Sequence, residues 1–483
     1  MGWSWKSPTV VRAIAAAAAG IAIWHLVTVA WTVGARIRFN ADIDWLEGGE
    51  IYHAFRWSRG EGIYQPPTEG FLPYPYPPLY WVILAGVGSI FGIDYASART
   101  LSAVAFAVII VLLGLELRSR IGAGRAGWFA ALLGAATVAM TYPDVGGFYD
   151  LARVDTLAQA FVVISTFAVV RRRIVWAALA ATCAVYTKQT MLFPVVALAA
   201  SMLLQRDTKV LVRFLLVAGG SSLAALAVLE WSTHGLFLMW MLDTRHHGVD
   251  VHRLWTAGHD LLLAAPWLLV PLLALHRSRV SAQTKIWVAV LGGCTVAAVL
   301  PFIKIGGFPN NLIPVAALAG PVALMVLIDW TARAHPAARQ AVLAAAGIVL
   351  ALKIYDAEHY RPTAKSRKAA DDLSAQLRRL SGPILCPLHP FAIIRSGHLE
   401  EQMGWINQID AVTGKTGATY EQYMSNILVR RPEYVLLDGN SIEAPILDNI
   451  GGDYFLIGDV EGPPISSIVG MNTIPKKLYR HRR

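Results

Sequence analysis

The sequence predicts a polytopic α-helical membrane protein, and three observations carry that prediction. Of the 483 residues, 55% are hydrophobic and only 15% are charged, whereas soluble domains carry about 25% charged residues. The mean hydropathy is +0.48. Apolar runs of membrane-spanning length recur from about residue 10 to about residue 355. Together these observations exclude the cytosolic enzyme classes.

The net charge of +10 does not indicate nucleic-acid binding, because of where the charges lie. Many of the Lys and Arg residues occupy short links between apolar runs, where such residues set membrane topology. The three cysteines are too few for a disulfide framework. We therefore expect the lipid bilayer, and no nucleic acid, as a partner.

The order of apolar segments and basic links predicts the topology. The apolar segments lie at about 11–33, 77–92, 97–117, 126–142, 156–170, 174–187, 190–205, 210–231, 258–275, 286–303, 311–329 and 340–355. If all basic links face the cytoplasm with the N-terminus, the number of crossings between them must be even. Three apolar segments precede the basic link at Arg118, which is one too many.

The segment 77–92 resolves this conflict if it does not cross the membrane. It opens with Tyr76-Pro77-Pro78, and Pro suits the first turn of a helix. Its roughly 16 residues would span only about 24 Å, short of the roughly 30 Å hydrocarbon core. We therefore predict about eleven transmembrane helices, with 77–92 as a juxtamembrane helix.

The last part of the chain is predicted to be a small α/β domain. It contains strand-like runs at 383–385, 434–437 and 454–457 with turn residues between them. The predicted division is a membrane module at 1–355, with a first outer loop at 34–96, and a soluble domain at 356–483. The topology places the N-terminus in the cytoplasm and this domain outside it, at an inner (plasma) membrane of the bacterial type.

The first outer loop carries clustered acids. In a helix, Asp44, Glu47 and Glu50 would fall on roughly one face, and Tyr52 and His53 follow directly. Carboxylates clustered beside a membrane raise each other's pKa, which suits a general base or a metal ligand. The alternative is a solvated acidic face on a surface helix.

Two further outer links place charges at the mouths of apolar spans. Asp155 follows Arg153 where an acid is costly unless it is paired or functional, and a helix cap or a local ion pair is the alternative. Lys188 lies in the polar tetrapeptide Thr187-Lys188-Gln189-Thr190. A lipid-linked phosphate is one candidate for its anionic partner, and a snorkelling lysine is the alternative.

The remaining outer links carry histidines and amides. The link 232–257 contains Arg245 and His246 among several basic residues. The spacing of its histidines is not a specific zinc signature. The link favours a lid that contacts substrate or phosphate, with a metal site or a flexible polar loop as the alternatives. The link 304–311 combines two glycines with Asn310 and Asn311, whose amides suit hydrogen bonds to a polyol; an ordinary interhelical turn is the alternative.

Four features, in their order along the chain, resemble the GT-C-fold glycosyltransferases. They are the acidic first loop followed by Gly-Glu-Gly-Ile-Tyr at 60–64, the Tyr-Pro-Pro-Leu-Tyr run at 76–80, the link Arg153-Val154-Asp155, and the tetrapeptide at 187–190. This superfamily of polytopic membrane enzymes uses polyprenyl-phosphate sugars and includes protein O-mannosyltransferases and the aminoarabinose transferases of lipid A. The resemblance covers most of residues 10–355 and implies juxtamembrane helices in the first outer loop.

The resemblance also implies a reaction and roles for residues. A hexose or pentose would pass, with inversion, from a polyprenyl-phosphate donor to a hydroxyl of a glycan, lipid or protein outside the cytoplasm. Counted back from Tyr64, Glu47 matches the position of the catalytic base best, and Asp44 is next. Asp155 would orient the acceptor or hold Mg or Mn, and whether a metal takes part stays open. The donor phosphate would meet Lys188, Arg153 and Arg245, and the substrate would contact Tyr52, His53, Tyr80, His246, Asn310 and Asn311.

Two other functions remain as alternatives. A transporter or flippase of lipid-linked saccharides predicts charged residues in the middle of helices along a pathway, whereas the acids here gather in outer loops. A non-catalytic membrane subunit predicts that loss of Glu47 or Asp155 is tolerated while loss of the tail is not.

Overall fold

A computed structural model describes most of the chain. The described residues are 8–66, 71–242, 248–264, 266–275, 280–304, 306–331, 336–399, 402, 431–439, 443, 446–447, 450, 452–460 and 467–482.

The described residues form sixteen α-helices and four β-strands. The helices of the membrane module are α1 (Pro8–Ile37), α2 (Glu47–Ser58), α3 (Leu79–Phe91), α4 (Tyr95–Ile121), α5 (Arg125–Ala139), α6 (Val154–Val170), α7 (Ile174–Thr187), α8 (Leu192–Leu204), α9 (Thr208–Ser232), α10 (Leu236–Leu242), α11 (His252–Ala264), α12 (Ala282–Phe302), α13 (Ile313–Thr331) and α14 (Pro336–Leu352). The tail contains α15 (Ala364–Leu377), α16 (Pro390–Arg395), β1 (Ile384–Leu385), β2 (Tyr434–Leu437), β3 (Tyr454–Asp459) and β4 (Lys477–His481).

Five helical stretches are long and apolar enough to cross a membrane, by length and composition. They are Arg12–Ile37, Tyr95–Ile121, Thr208–Ser232, Ala282–Phe302 and Pro309–Thr331. The shorter apolar helices include α3, α5, α6, α7 and α8. The predicted span 258–275 is divided between the end of α11 and a 3₁₀ stretch at Pro266–Leu275. The chain is a helical membrane protein, and the number of about eleven spans stays a prediction.

Helix α13 lies at the centre of the bundle. Every residue from Ile313 to Val326 is buried, and the helix packs against α4, α5, α6, α12 and α14. A Cβ on Gly320 would lie 2.6 Å from the Thr137 side chain of α5, so only glycine permits this approach. A helix that is hydrophobic all round is expected to be buried on all sides, and α13 is.

The two kinds of link gather at opposite ends of the bundle. At the basic end, the buried Glu116 accepts hydrogen bonds from Arg120 at 2.7 Å and from Arg171 at 2.8 Å. Glu116 and Arg120 lie in the last two turns of α4, and Arg171 directly follows α6. At the other end, Arg99 and Asp155, in the first turns of the same two helices, belong to a second set of polar contacts. Each helix therefore joins one basic link to one acidic link.

Helix α3 begins and ends at the same end of the bundle. Trp81 in its first turn donates a hydrogen bond to Glu50 of α2. Arg99, in the first turn of α4 after α3 ends, donates to Glu47 of the same helix α2. This path is consistent with a helix α3 that does not cross the membrane. Its placement beside the membrane stays a prediction.

The tail forms a mixed four-stranded sheet in the order β1-β2-β4-β3. Strand β1 runs parallel to β2, and β4 pairs antiparallel with both β2 and β3. Strands β1, β2 and β3 form at the three runs that the sequence indicates, and β4 was not predicted. Helix α16 packs against α2, with the ring of Phe391 edge-on to that of Tyr95. A separate extracytoplasmic domain at 356–483 stays a prediction.

Thiol labelling in intact cells tests the predicted sidedness. We expect Lys368→Cys on α15, where the lysine side chain is 71% exposed, to react with a membrane-impermeant maleimide. Lys209→Cys, at an exposed position in the first turn of α9, should react only after permeabilisation. Native Cys386 is buried and gives little background. The reverse pattern would overturn the topology.

Candidate active site

The three acids of the first outer loop are all buried. Asp44, Glu47 and Glu50 have no exposed surface, so a solvated acidic face does not describe them. A buried carboxylate needs hydrogen bonds and opposite charge to remain ionised. The partners of the three acids differ, and those partners decide what each can do.

Glu47 is saturated with hydrogen bonds. Its Oε1 accepts from Arg99 Nε at 2.9 Å and from the backbone N–H of Ala152 at 2.9 Å. Its Oε2 accepts from Arg99 Nη2 at 2.6 Å and from the N–H of Ile43 at 2.7 Å. Burial alone would raise the pKa of Glu47, but the Arg99 guanidinium holds it below its usual value. Glu47 therefore joins α2, α4 and the link before α6 as a permanent anion.

Asp44 has one oxygen that none of the described residues hydrogen-bonds. Its Oδ2 accepts from Arg153 Nη1 at 2.5 Å and from the N–H of Leu46 at 3.3 Å. Its Oδ1 is buried and has no hydrogen-bond partner within the described part of the chain. Burial raises the pKa of Asp44 to about 6 against the lowering effect of Arg153. An acceptor atom is thus available on a carboxylate that titrates near neutral pH.

Arg153 connects Asp44 to a second ion pair. Its Nε lies 3.4 Å from Asp155 Oδ2, and Lys188 Nζ lies 2.6 Å from Asp155 Oδ1. Arg153 has extended backbone dihedrals immediately before α6, and Lys188 is likewise extended immediately after α7. Helix α6 therefore begins, and α7 ends, at an extended residue whose charged side chain can turn into the bundle. The adjacent Asp44 makes this a chain of alternating charges.

Two amides complete the arrangement, which we term the central cluster: Asp44, Arg153, Asp155, Lys188, Asn310 and Asn311. Asn310 Nδ2 donates to Asp155 Oδ1 at 3.1 Å. Lys188 Nζ donates to Asn311 Oδ1 at 3.0 Å. Both amides lie on the 3₁₀ turn Pro309–Leu312 that leads into α13. The cluster thus unites side chains from four separate links of the chain.

Glu50 lies beside the central cluster, and the sequence analysis included it among the clustered acids without choosing it as the base. Trp81 Nε1 donates to its Oε2 at 2.5 Å, and its Oε1 has no partner within the described part of the chain. Burial raises the pKa of Glu50 to about 8, although the charges of Arg153 and Lys188 oppose this. Its spacing after Glu47 was visible in the sequence, but its protonated state depends on burial.

Tyr52 and His53 hold the first outer loop together. His53 Nδ1 donates to the carbonyl of Gly49 at 2.6 Å, and its Nε2 accepts from the N–H of Tyr74 at 2.9 Å. Burial lowers the pKa of His53 to about 3, so the ring is neutral. The Tyr52 hydroxyl accepts from the N–H of Gln402 at 2.8 Å. Contacts from either residue to a substrate stay predictions.

Three other residues were predicted to contact substrate or phosphate. Tyr80 is buried in the first turns of α3. Arg245 and His246 lie outside the described residues. Their proposed contacts with substrate remain predictions.

The described residues contain no metal site built from protein ligands alone. Among them, no group of three or more His, Cys, Asp or Glu side chains could hold a metal ion. Asp44 and Asp155 share the Arg153 guanidinium, which occupies the space between two potential ligands. Hard cations prefer several oxygen ligands around one centre. We derive no step of the reaction through a metal.

Solved structures with this fold are known. The apo structure of ArnT from Cupriavidus metallidurans superposes with a TM-score of 0.57 at 13% identity, over 94% of this chain and 97% of that chain. The same protein bound to undecaprenyl phosphate gives a TM-score of 0.54 at 14% identity, over 95% and 97% of the two chains. No family model matches the sequence, and no curated protein sequence matches it.

The likeness to ArnT extends over almost the whole length of both chains and shows a common fold. The resemblance to the GT-C-fold membrane enzymes, which the order of the sequence motifs indicates, is therefore confirmed at the level of the fold. Sequence identities of 13 and 14% carry no residue-level assignment. The roles of individual side chains rest on the geometry described above.

We expect Glu47→Gln to destabilise the protein, because it leaves the Arg99 guanidinium buried without its counter-ion. Breaking a buried pair on one side costs about 3–5 kcal/mol, which should appear as a marked fall of the unfolding temperature in detergent. The matched control is Asp372→Asn in the exposed pair with Lys368, where a change below about 1 kcal/mol is expected. Equal unfolding temperatures for the two variants would contradict the anchoring role.

Proposed function

We propose that the protein is a membrane glycosyltransferase that moves a sugar from a polyprenyl-phosphate donor to an acceptor hydroxyl. The observation that carries the proposal is the central cluster at the mouths of membrane helices. In it, Asp44 pairs with Arg153 and has one oxygen that no described residue hydrogen-bonds, while Lys188 pairs with the neighbouring Asp155. The fold supports it, because ArnT has this fold and one ArnT structure contains undecaprenyl phosphate. We place the reaction outside the cytoplasm at a bacterial-type inner membrane.

Asp44 is the proposed catalytic base. A base must lie within about 2.6–3.2 Å of the oxygen whose proton it takes, so it needs a free acceptor. Asp44 Oδ1 has no hydrogen bond to any described residue, whereas both oxygens of Glu47 are occupied. A pKa of about 6 leaves Asp44 mostly ionised at neutral pH. The geometry therefore favours Asp44 over Glu47, which the sequence motif placed first.

Lys188 and Arg153 are the proposed phosphate ligands. An ammonium carries three donors, and those of Lys188 that the described contacts use go to Asp155 and Asn311. A guanidinium carries five donors, and Arg153 presents one to Asp44 and one to Asp155. Both cations therefore retain donors for a phosphate while Asp155 holds them in position. In this assignment Asp155 is a positioning residue.

The proposed reaction is a direct displacement. The acceptor oxygen forms a bond to the anomeric carbon as the bond from that carbon to the phosphate oxygen breaks. The electron pair leaves on the phosphate, Asp44 takes the acceptor proton, and the anomeric centre is inverted. Cations fixed where charge develops stabilise such a transition state. Glu50, with its pKa of about 8, stays protonated and adds no negative charge beside the phosphate.

The two alternatives predict a different distribution of charge. A flippase needs polar groups along a path through the bilayer, whereas the central cluster lies at the ends of α6, α7 and α13. A non-catalytic subunit gives no reason for a buried carboxylate to retain an unpartnered oxygen, since an unsatisfied buried polar atom is destabilising. Both alternatives remain outcomes of the turnover experiment.

We expect Asp44→Asn to abolish turnover, because the amide cannot accept the proton. The assay follows release of free polyprenyl phosphate from a panel of hexose and pentose donors with glycan, lipid and peptide acceptors, with and without EDTA. General base catalysis contributes about 10²–10⁴-fold, and the loss should fall in that range. The control is Asp144→Asn, which removes a carboxylate from the ion pair with Lys353. Full activity of Asp44→Asn would exclude Asp44 as the base. Loss of activity of the parent protein in EDTA would show that the reaction requires a divalent metal.

The pH dependence tests the same assignment independently. Because Asp44 must be ionised to act and its pKa is raised to about 6, kcat/KM should be level above that pH. Below it, kcat/KM should fall about tenfold per pH unit as the base is protonated. Glu50→Gln should leave this acidic limb in place. A limb near pH 4 in the parent protein would indicate a solvated carboxylate instead.

A further inference from the structure

One residue of the tail covers the unpartnered oxygen of Asp44. A Cβ built on Gly470 would lie 2.1 Å from Asp44 Oδ1 and 3.4 Å from the ring of Phe148. Gly470 is itself exposed, whereas Asp44 beneath it is buried. Its φ of +75° is in the region that glycine adopts without strain. A layer one residue thick therefore separates the carboxylate from the surface.

This cover conflicts with the proposed role of Asp44. The acceptor hydroxyl must approach Oδ1 to within about 3.2 Å. The backbone of Gly470 already occupies the space on that side of the carboxylate, since even one added carbon atom would overlap Oδ1. Asp44 can therefore meet an acceptor only after Gly470 has moved.

The segment that carries Gly470 is closed on itself, with Val469 and Thr473 buried. Ser467 and Thr473 pair through their side-chain oxygens at 2.7 Å, and the N–H of Ser467 donates to the carbonyl of Thr473 at 3.3 Å. Between them, the N–H groups of Ile468 and Val469 donate to one carbonyl, that of Ile43, at 2.9 and 3.1 Å. We term residues 467–473 the lid. Its backbone attachment to the first outer loop is thus at one residue, next to Asp44.

A buried ion bridge ties the lid to the loop below it. His389 Nδ1 lies 2.7 Å from Asp42 Oδ2, and its Nε2 lies 3.4 Å from Asp438 Oδ1. Burial disfavours the charged imidazole, but the two carboxylates raise the pKa of His389 to about 10. Asp438 Oδ2 in turn accepts from the N–H of Ile474 at 2.6 Å, directly after the lid. The bridge therefore joins the end of the lid to a residue two positions before Asp44.

We infer that the acceptor binds between Asp44 and the lid, entering from the exposed side of Gly470 when the lid opens. The ion bridge Asp42–His389–Asp438 acts as the hinge-side attachment that returns the lid to its place. This inference rests on the proposed role of Asp44 as the base. With the lid open and no acceptor present, water takes the acceptor's position: its oxygen bonds to the anomeric carbon, the phosphate leaves with the electron pair, and Asp44 takes the proton.

Hydrogen exchange of the full-length protein in detergent tests the lid without any substrate. We expect the amides of Ile468 and Val469 to exchange at least tenfold faster than those of β4, because the lid opens locally. Gly470→Ala cannot seat its methyl group against Asp44 and should speed lid exchange about tenfold further with β4 unchanged. The control is Gly452→Ala, where an added Cβ meets nothing within 4 Å. Equal protection of the lid and β4 in the parent protein would overturn the inference.

Partition between water and acceptor supplies the second readout. In Gly470→Ala, the ratio of sugar released to water over sugar transferred should rise at least tenfold, because Asp44 is open to solvent between cycles. His389→Gln, which loses the charge of the bridge, should raise the ratio less. An unchanged ratio in Gly470→Ala would show that the lid does not open and would overturn the inference. If Asp44→Asn retains activity while lid exchange behaves as expected, the base assignment fails and the lid stands as a structural finding.

Discussion

The buried pair of Glu47 and Arg99 is the interaction on which the outer end of the molecule depends. Arg99 also donates to the carbonyls of Arg36, Phe39 and Ala41, so one guanidinium fixes the chain as it leaves α1. Glu47 accepts from backbone groups on both sides of the site. With no water to replace these bonds, each buried polar group must find its partner in the protein. These hydrogen bonds therefore hold the loop that carries Asp44 against the start of α4 and the link before α6.

The site itself follows from the same rule applied to charges. Arg153 stands between Asp44 and Asp155, and Lys188 stands beyond Asp155, so each acid faces at least one cation. Such an arrangement is stable without substrate, yet it leaves donors on both cations and one acceptor on Asp44. The groups that would bind a phosphate and take a proton thus fix each other's positions before substrate binds. The site is therefore preorganised.

Much of this arrangement was predictable from the sequence, and the exceptions have a common physical cause. An acid or a lysine at the mouth of an apolar helix must find a partner, so Asp155 and Lys188 could be singled out from their positions in the sequence. The choice between Asp44 and Glu47 could not be made, because it depends on Arg99 in a different helix. Gly470 gave no signal either, since the need for glycine there arises from a carboxylate more than 400 positions earlier. Local pattern predicts which groups are under constraint, and only packing shows which of them are already satisfied.

The contact between Asp44 and Arg153 has a consequence for the charge of the site during the proposed reaction. A sugar-bearing lipid phosphate is a diester with one negative charge, and the lipid phosphate left behind is a monoester that gains up to one more. Asp44 loses its negative charge at the same moment, because it receives the acceptor proton. The sum over Asp44 and phosphate therefore hardly changes, while the negative charge moves from one side of Arg153 to the other. The Arg153 guanidinium can stabilise the negative charge on either side without moving. The buried site therefore does not have to accommodate an additional unit of charge during the reaction.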